Sequence, residues 1–244
     1  MTHPRIHAAR HPDHPAVIMA DTGVTLTYRE LERRANQGAQ LFRSLGIASG
    51  DTVAIWLPNL PDFHILYWAA QRSGLYITPI ATALTAAEAG YIVENCGAKL
   101  LVSCDQIAGL PPFLAAHRPD SLTHYYDLAD WCAAIQAMPD TLVTDEQPGY
   151  HMVYSSGTTG RPKGIRLPLP QGGVTDSHFL AELSAASYSV NPATVYLSPA
   201  PLYHTAPLAF TTSCHRLGAT VIVMPKFDPE TALQAIERYK VTVT

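Results

Sequence analysis

The sequence predicts an α/β protein in which mostly parallel sheets are flanked by helices. Two observations carry this prediction: short apolar strands alternate with helical segments, and each strand is almost continuous in apolar, often β-branched residues. Such strands are typical of parallel sheets that are covered on both faces, and helices between them indicate right-handed crossovers. The 244 residues, 47% of them hydrophobic, suffice for one large α/β domain or two smaller ones.

The first hundred residues show helix starts and stops at regular intervals. The predicted elements, in order, are a helix begun by a capping box at 27–30 and ended by Gly46, a strand at 53–57, a helix opened by Pro61 and closed by Gly74, a strand at 76–80, a helix begun by a capping box at 85–88 and reaching about Cys96, and a strand at 99–103.

The remainder of the chain resumes this alternation after a less regular, proline-containing stretch at 105–147. That stretch is expected to hold one strand near 123–126 and a connecting segment. The later predicted elements are a strand at 149–154, a helix at 177–187, a strand at 195–197, a helix at 207–217, a strand at 219–224, a helix opened by Asp228 and Pro229, and the start of a strand at 241–244. Because a parallel sheet rarely ends on an unfinished strand, we expect the chain to be part of a longer protein.

The strand at 149–154 runs into a glycine- and hydroxyl-rich segment that is typical of phosphate binding. Glycines let backbone N–H groups approach an anion closely, and hydroxyls add short hydrogen-bond donors. The candidate phosphate ligands of this kind are Ser155, Ser156, Gly157, Thr158, Thr159 and Gly160. Lys163 adds a compact positive charge. A plain surface loop is the alternative, but the Pro-Lys-Gly ending favours phosphate binding.

The neighbours of Lys163 exclude the more common phosphate-binding loop. That loop needs glycine before the lysine and serine or threonine after it. Here Pro162 precedes Lys163 and Gly164 follows it. We therefore expect the lysine to be presented from a turn and not from the first turn of a helix, which argues against a P-loop NTPase or kinase.

Composition narrows the class of protein further. A formal net charge of −4, with 16 Lys and Arg and no basic run, argues against a nucleic-acid partner. The N-terminus lacks the apolar core of a signal peptide, and apolar stretches such as 65–70 are too short to span a bilayer. Four scattered cysteines are expected to be reduced thiols, so the sequence predicts a cytoplasmic protein without a transmembrane segment.

Three histidines near the N-terminus, His3, His7 and His11, are spaced to share one helical face. Pro4 and Pro12 flank this face, and no carboxylate or cysteine completes a ligand set. The pattern therefore favours a solvated N-terminal face over a metal site.

Four segments, in order along the chain, resemble the adenylate-forming superfamily of acyl- and aryl-CoA synthetases, peptide-synthetase adenylation domains and firefly luciferase. The phosphate-binding segment 154–165 is similar to the superfamily signature almost residue for residue. The other matches are Pro201-Leu202-Tyr203-His204, the opening Leu26-Thr27-Tyr28 with Glu30 and Leu31 followed by Gly50-Asp51 and Val53-Ala54, and the weaker Gly74 with Thr78-Pro79.

The resemblance implies an AMP-forming acyl-CoA synthetase. Such enzymes join a carboxylic acid, here fatty or aryl, to ATP as an acyl-adenylate and then transfer the acyl group to CoA, with a role in fatty acid metabolism. The segment 155–160 and Lys163 would hold the ATP phosphates, Thr158 would lie near Mg²⁺, and His204 would orient the carboxylate. Ala206 and Phe210 would line the acyl pocket, with simple helix packing as the alternative.

Departures from the family pattern lie in two places. Residues 166–173 are proline-rich and lack the family's histidine, so the next helix must start late. No counterpart is present for the family's adenine-binding segment, ribose-binding aspartate, hinge or C-terminal lysine. The resemblance therefore implies that 1–244 is the N-terminal portion of the AMP-binding large domain, incomplete at its C-terminal end, with the mobile C-terminal domain absent. We expect this chain alone to bind nucleotide weakly and turn over little or nothing.

Two alternatives stay open at this point. One is a non-catalytic nucleotide-binding or assembly module, although the presence of both Lys163 and His204 argues against a site that has lost its catalytic function. The other is a peptide-synthetase-type adenylation domain, against which Tyr203-His204 and the start near Met1 favour a ligase. The sequence also leaves a homodimer open.

Overall fold

The structure is a computed structural model that describes residues 1–155 and 161–244. The helices in these ranges are α1 (Pro4–Arg10), α2 (Tyr28–Ser44), α3 (Pro61–Gln71), α4 (Ala86–Asn95), α5 (Leu110–Pro112, continued by a π-helical turn at Phe113–His117), α6 (Leu128–Gln136), α7 (Phe179–Tyr188), α8 (Thr205–Leu217) and α9 (Pro229–Tyr239). The strands are β1 (Pro15–Met19), β2 (Thr25–Thr27), β3 (Thr52–Trp56), β4 (Tyr76–Pro79), β5 (Ala98–Ser103), β6 (His124–Asp127), β7 (Tyr150–His151), β8 (Val153–Ser155), β9 (Lys163–Ile165), β10 (Val195–Ser198) and β11 (Thr220–Val223).

The chain divides into two compact units, which are described separately. Unit 1 comprises Met1–Arg33, Asn59–Ile65 and Thr175–Thr244. Unit 2 comprises Arg34–Pro58 and Leu66–Val174.

Unit 1 is built on a four-stranded sheet of order β10-β11-β1-β2. Strands β10, β11 and β1 are parallel, and β2 closes the sheet as an antiparallel neighbour of β1. Near the end of the chain, Val243 forms an isolated parallel bridge with Tyr196 of β10. Helix α9 packs Ala232 and Ala235 against β10 and β11 residues such as Leu197 and Ile222. The sheet thus joins residues from opposite ends of the sequence.

Unit 2 contains a fully parallel sheet of order β6-β5-β3-β4-β7. All five residues of the central strand β3 are buried, as expected for a strand covered on both faces. Trp56 at the end of β3 packs its ring edge-on against Phe113 of the π-helical turn, with 5.8 Å between ring centroids. Strands β8 and β9 form a separate two-stranded antiparallel hairpin. The predicted fold of mostly parallel sheets flanked by helices is confirmed.

Local capping signals position the helices that the sequence predicted. In the box before α2, the Thr27 hydroxyl accepts from the Glu30 N–H at 3.2 Å, and the Glu30 carboxylate accepts from the Thr27 N–H at 3.0 Å. Thr85 and Glu88 form the same reciprocal pair at α4. The Asp228 carboxylate caps α9 by accepting from the Thr231 N–H at 2.8 Å.

Several elements escaped prediction. Helix α6 lies in the stretch taken for a connecting segment, where the Asp127 carboxylate caps it by accepting from the Ala129 N–H at 2.9 Å. Helix α1 and the strands β1 and β2 were not predicted either. The single strand expected at 149–154 is in fact two: β7 pairs with β4 in the parallel sheet, whereas β8 pairs with β9.

The expectation of a solvated histidine face at the N-terminus is wrong for two of its three members. His3 is fully buried, and its Nδ1 caps α1 by accepting from the Arg5 N–H at 3.1 Å. The His7 ring is half-buried, its Nε2 lies 3.0 Å from the Arg216 carbonyl oxygen, and burial lowers its pKa. His11 is exposed. The imidazoles of His3 and His7 thus make structural contacts within unit 1.

Residues 1–155 and 161–244 contain neither a candidate membrane span nor a candidate metal cluster. None of the helices there is long and apolar enough to cross a bilayer. Nor does that part of the chain gather three or more His, Cys, Asp or Glu side chains into a group that could hold a metal ion.

Candidate functional site

Lys163 is the first residue of β9 and is exposed to solvent. It lies opposite Ser155, the last residue of β8, which is also exposed. The expectation that this lysine is presented from a turn is therefore wrong, because antiparallel pairing with β8 holds it in a strand. The remaining predicted phosphate ligands, Ser156, Gly157, Thr158, Thr159 and Gly160, lie outside the described residues.

A close contact inside the hairpin requires glycine beside Lys163. Gly164 pairs with Tyr154 across the two strands. A Cβ atom at Gly164 would lie 2.5 Å from Cε of Met152 and 2.9 Å from Cζ of Tyr154. A larger residue at this position would have to displace the Met152 and Tyr154 side chains, so these side chains pack closely over Gly164 next to the lysine.

Tyr154 fastens the first strand of the hairpin to helix α4. Its hydroxyl donates to Oδ1 of Asn95 at 2.6 Å. Burial raises the pKa of Tyr154, so the phenol stays protonated and available as a donor. Strand β8, which leads into the glycine- and hydroxyl-rich segment, is thereby held to helix α4 of unit 2.

A cleft of about 530 Å³ opens beside the hairpin within unit 2. Its described lining combines Tyr91 and Glu94 of α4 with Arg118, Arg161 and Pro162. The Arg161 guanidinium lies over the Tyr91 ring at 5.4 Å from its centroid, within cation–π range. The cleft carries charges of both signs next to the segment that ends at Lys163.

His204 immediately precedes α8 in unit 1. Its backbone is extended, its carbonyl accepts the first intrahelical bond from the Leu208 N–H at 3.2 Å, and its side chain makes no capping bond. The ring is exposed and lies 4.6 Å from the Tyr203 ring. A solvent-exposed imidazole that does not cap its helix is accessible to a ligand.

Asn59 holds the loop that carries His204, and sequence reasoning missed it. The buried Asn59 amide donates to the carbonyls of Ala200 at 3.1 Å and Met224 at 2.9 Å, and its Oδ1 accepts from the Leu202 N–H at 2.9 Å. The sequence places Asn59 just beyond the strand predicted at 53–57 and gives no local sign of this role. The side chain thus satisfies three backbone groups around this loop.

The two predicted acyl-pocket residues lie on α8. Ala206 is exposed in its first turn. Phe210 is half-buried between Tyr196, whose ring centroid is 4.7 Å away, and Tyr188, 5.5 Å away. Packing of α8 against neighbouring aromatic rings is sufficient to explain Phe210. Both residues share unit 1 with His204, whereas Ser155 and Lys163 belong to unit 2.

A glycine- and hydroxyl-rich run that leads to an exposed lysine is typical of proteins that bind nucleotide phosphates. A family model described as "AMP-binding enzyme" matches residues 5–244. The chain therefore belongs to the AMP-binding enzyme family, the adenylate-forming group whose signature the sequence resembles.

Individual relatives point the same way. The chain is 29% identical to the long-chain-fatty-acid–CoA ligase FadD13 of Mycobacterium tuberculosis, over 92% of this chain and 44% of that protein. It is 30% identical to 2-succinylbenzoate–CoA ligase of Bacillus licheniformis, over 95% of this chain and 46% of that protein. The solved N-terminal domain of FACL13 from Mycobacterium tuberculosis superposes with a TM-score of 0.83 at 26% identity, covering 99% of this chain and 62% of that one. The chain spans less than half the length of these curated relatives.

Proposed function

We propose that this chain belongs to an AMP-forming acid–thiol ligase that activates a fatty or aryl carboxylic acid. In the first step, a carboxylate oxygen of the acid attacks the α-phosphorus of ATP. An acyl–phosphate bond forms, the bond from the α-phosphorus to the bridging oxygen breaks, and pyrophosphate leaves. In the second step, the CoA thiol attacks the acyl carbonyl carbon, a thioester forms, AMP leaves, and the thiol proton is released to solvent.

In this proposal, the hairpin of unit 2 binds the triphosphate of ATP, which arrives as its magnesium complex. The Lys163 ammonium neutralises charge on the phosphates and on the departing pyrophosphate. Ser155 and the segment 156–160 supply hydroxyl and backbone N–H donors, and Thr158 is the candidate neighbour of Mg²⁺. Such a reaction needs positioning and charge neutralisation and no covalent enzyme nucleophile.

His204 is proposed to orient the acid carboxylate. Its ring is exposed and makes no capping bond at the start of α8, and the loop before it is held by Asn59. Ala206, in the first turn of the same helix, is the better candidate for a pocket wall, since Phe210 is engaged by two tyrosine rings. The pocket residues elsewhere in such a ligase would complete the choice of acid.

The observation that carries the proposal is the family match over 5–244 together with the exposed Lys163 at the end of the glycine- and hydroxyl-rich run. The similar proteins named as CoA ligases act on long-chain fatty and aromatic acids by their names, which supports this class of substrate. We also propose that 1–244 corresponds to the N-terminal portion of the large domain, in line with the superposition on an N-terminal domain of FACL13.

Two assays test the function. For the chain itself, we expect MgATP and pyrophosphate to raise the melting temperature, because a ligand that binds only the folded state stabilises it. For a polypeptide of the relatives' length that carries this chain, we expect ATP–pyrophosphate exchange that depends on an added acid. A panel of fatty, aryl and amino acids identifies the substrate class. Nucleotide binding without acid-dependent exchange would instead indicate a non-catalytic module, and exchange supported only by amino acids would indicate an adenylation domain of the peptide-synthetase type.

A further inference from the structure

The hairpin that presents Lys163 has little structure of its own. Strands β8 and β9 are three residues long each, and all three residues of β9 are exposed. A two-stranded ribbon of this size is at best marginally stable in water. Because the lysine ammonium sits on a flexible stem, its position depends on how firmly the backbone of β9 is held. Contacts outside the hairpin must therefore supply much of its order.

Arg166, the residue directly after β9, makes two such contacts. Its guanidinium carbon lies 4.0 Å from the centroid of the Tyr76 ring. Its Nη2 donates to the carbonyl oxygen of Gly50 at 2.7 Å. A stacked guanidinium that also donates a charge-assisted hydrogen bond fixes both the plane and the direction of the side chain.

The partners of Arg166 belong to the rigid part of unit 2. Tyr76 is buried in β4, where it pairs with Thr52 of β3 on one side and with Tyr150 of β7 on the other. The Tyr76 hydroxyl donates to the carbonyl oxygen of Leu167 at 2.7 Å, so one tyrosine binds two consecutive residues after β9. The Gly50 N–H donates to the Gly74 carbonyl at 2.8 Å, which fixes the turn that accepts from Arg166.

Nothing regular follows this anchor for some distance. Residues 166–178 form neither helix nor strand before α7 begins at Phe179. No regular element follows β9 to secure its end, whereas the first strand of the hairpin, β8, is secured by the hydrogen bond between Tyr154 and Asn95. The contacts of Arg166 therefore support the end of β9, which no following helix or strand holds.

We propose that Arg166 is a positioning residue for Lys163. By fixing the exit of β9 to Tyr76 and Gly50, it holds the lysine ammonium in place for the phosphates of the nucleotide. This inference rests on the proposed function of the hairpin in phosphate binding. Arg166 itself acts through the backbone and contacts no phosphate.

Pyrophosphate titration of four variants of the chain tests this role. Arg166→Ala is expected to weaken pyrophosphate binding about tenfold, the scale of one stacked, charge-assisted contact. Lys163→Ala removes the ligand itself, and the double variant is expected to bind no more weakly than Lys163→Ala alone. Lys226→Ala, an exposed cation of unit 1, removes the same charge and is expected to leave the affinity unchanged. A further loss of affinity in the double variant would overturn the proposal, because it would make Arg166 a direct anion ligand.

A second readout requires no ligand. Amide hydrogen exchange in β8 and β9 is expected to be about tenfold faster in Arg166→Ala, while amides of β3 keep their rates. Tyr76→Phe retains the ring and loses only the bond to Leu167, so its exchange is expected to rise less. Unchanged exchange rates of the β8 and β9 amides in Arg166→Ala would contradict the proposal that Arg166 holds the hairpin. A wild-type chain that fails to bind pyrophosphate overturns the proposed function instead, and the two failures are thereby distinguished.

Discussion

The loop before His204 and the hairpin of Lys163 are held in opposite ways. The first is fastened from within: a buried amide, Asn59, satisfies three backbone groups around it. The second lies on the surface of unit 2 and is held at its edges by Tyr154, Asn95 and Arg166. Substitutions that loosen the first should therefore change the stability of unit 1, whereas those that loosen the second should change ligand affinity and leave the fold intact. The predictions below test this contrast, beginning with the largest expected effect.

Acid should destabilise unit 1 more than unit 2, because unit 1 buries more histidines. In unit 1, His64 and His215 are fully buried with ring centroids 5.0 Å apart, and burial lowers the pKa of His64 well below its usual range and that of His215 to about 4. In unit 2, burial lowers the pKa of His151 to about 4. A lowered folded-state pKa means that the unfolded chain binds more protons in acid. The stability that comes from burying the neutral histidines is therefore present above about pH 6.5 and is lost as pH falls toward 4.

Between pH 7 and pH 5 a histidine whose folded-state pKa is about 4 is expected to cost about 2 kcal/mol of unfolding free energy. In unit 1 this loss comes from His215, and the lowered pKa of His64 adds to it in the same direction. Urea unfolding at the two pH values, with hydrogen exchange of β11 and β3 amides, measures each unit. His215→Gln keeps a donor for the Ala16 carbonyl and should reduce the loss in unit 1 by about 2 kcal/mol. Equal acid sensitivity of β11 and β3 would contradict the prediction.

Asn59→Leu should destabilise unit 1 by about 3 kcal/mol. The change removes the partner of the buried Met224 carbonyl and Leu202 N–H and of the partly buried Ala200 carbonyl, and each orphaned group costs about 1 kcal/mol or more. Urea unfolding measures the loss. Gln234→Ala, an exposed amide on α9, is the control and should change stability by less than about 0.5 kcal/mol. A wild-type midpoint in Asn59→Leu would show that the loop does not depend on this amide.

Lys163→Ala should weaken pyrophosphate binding by about tenfold to a hundredfold, which corresponds to the loss of one charge-assisted contact. Because the side chain is exposed, the unfolding free energy should stay within about 0.5 kcal/mol of wild type. Calorimetric titration and urea unfolding measure the two quantities. A stability loss comparable to that of Asn59→Leu would abolish the contrast between the two regions.

Asn95→Ala and Tyr154→Phe each remove the hydrogen bond at the entry of the hairpin, and each should cost about 1 kcal/mol in the protection of β8 amides. Since both changes remove the same bond, the double variant should lose no more than either single variant. Hydrogen exchange of the single and double variants measures this coupling. Additive losses would mean that the two side chains stabilise the hairpin independently.

Much of the fold follows from local signals in the chain. The boxes at Thr27 and Thr85 and the cap at Asp228 predicted helix starts because a capping hydrogen bond joins residues only three apart. The same reasoning missed α6, whose cap Asp127 lies in a proline-containing stretch. It also treated β7 and β8 as one strand, because apolar continuity does not reveal where a strand leaves its sheet.

The sequence by itself determined the alternation of helices and strands and the family signature at 154–165, since both depend on residues close together along the chain. Only the tertiary structure decided that β1 joins β11 across some two hundred residues, that Asn59 and His215 are buried, and that Arg166 stacks on Tyr76. These contacts join residues far apart in sequence. Their energies come from burial and geometry that no local pattern encodes.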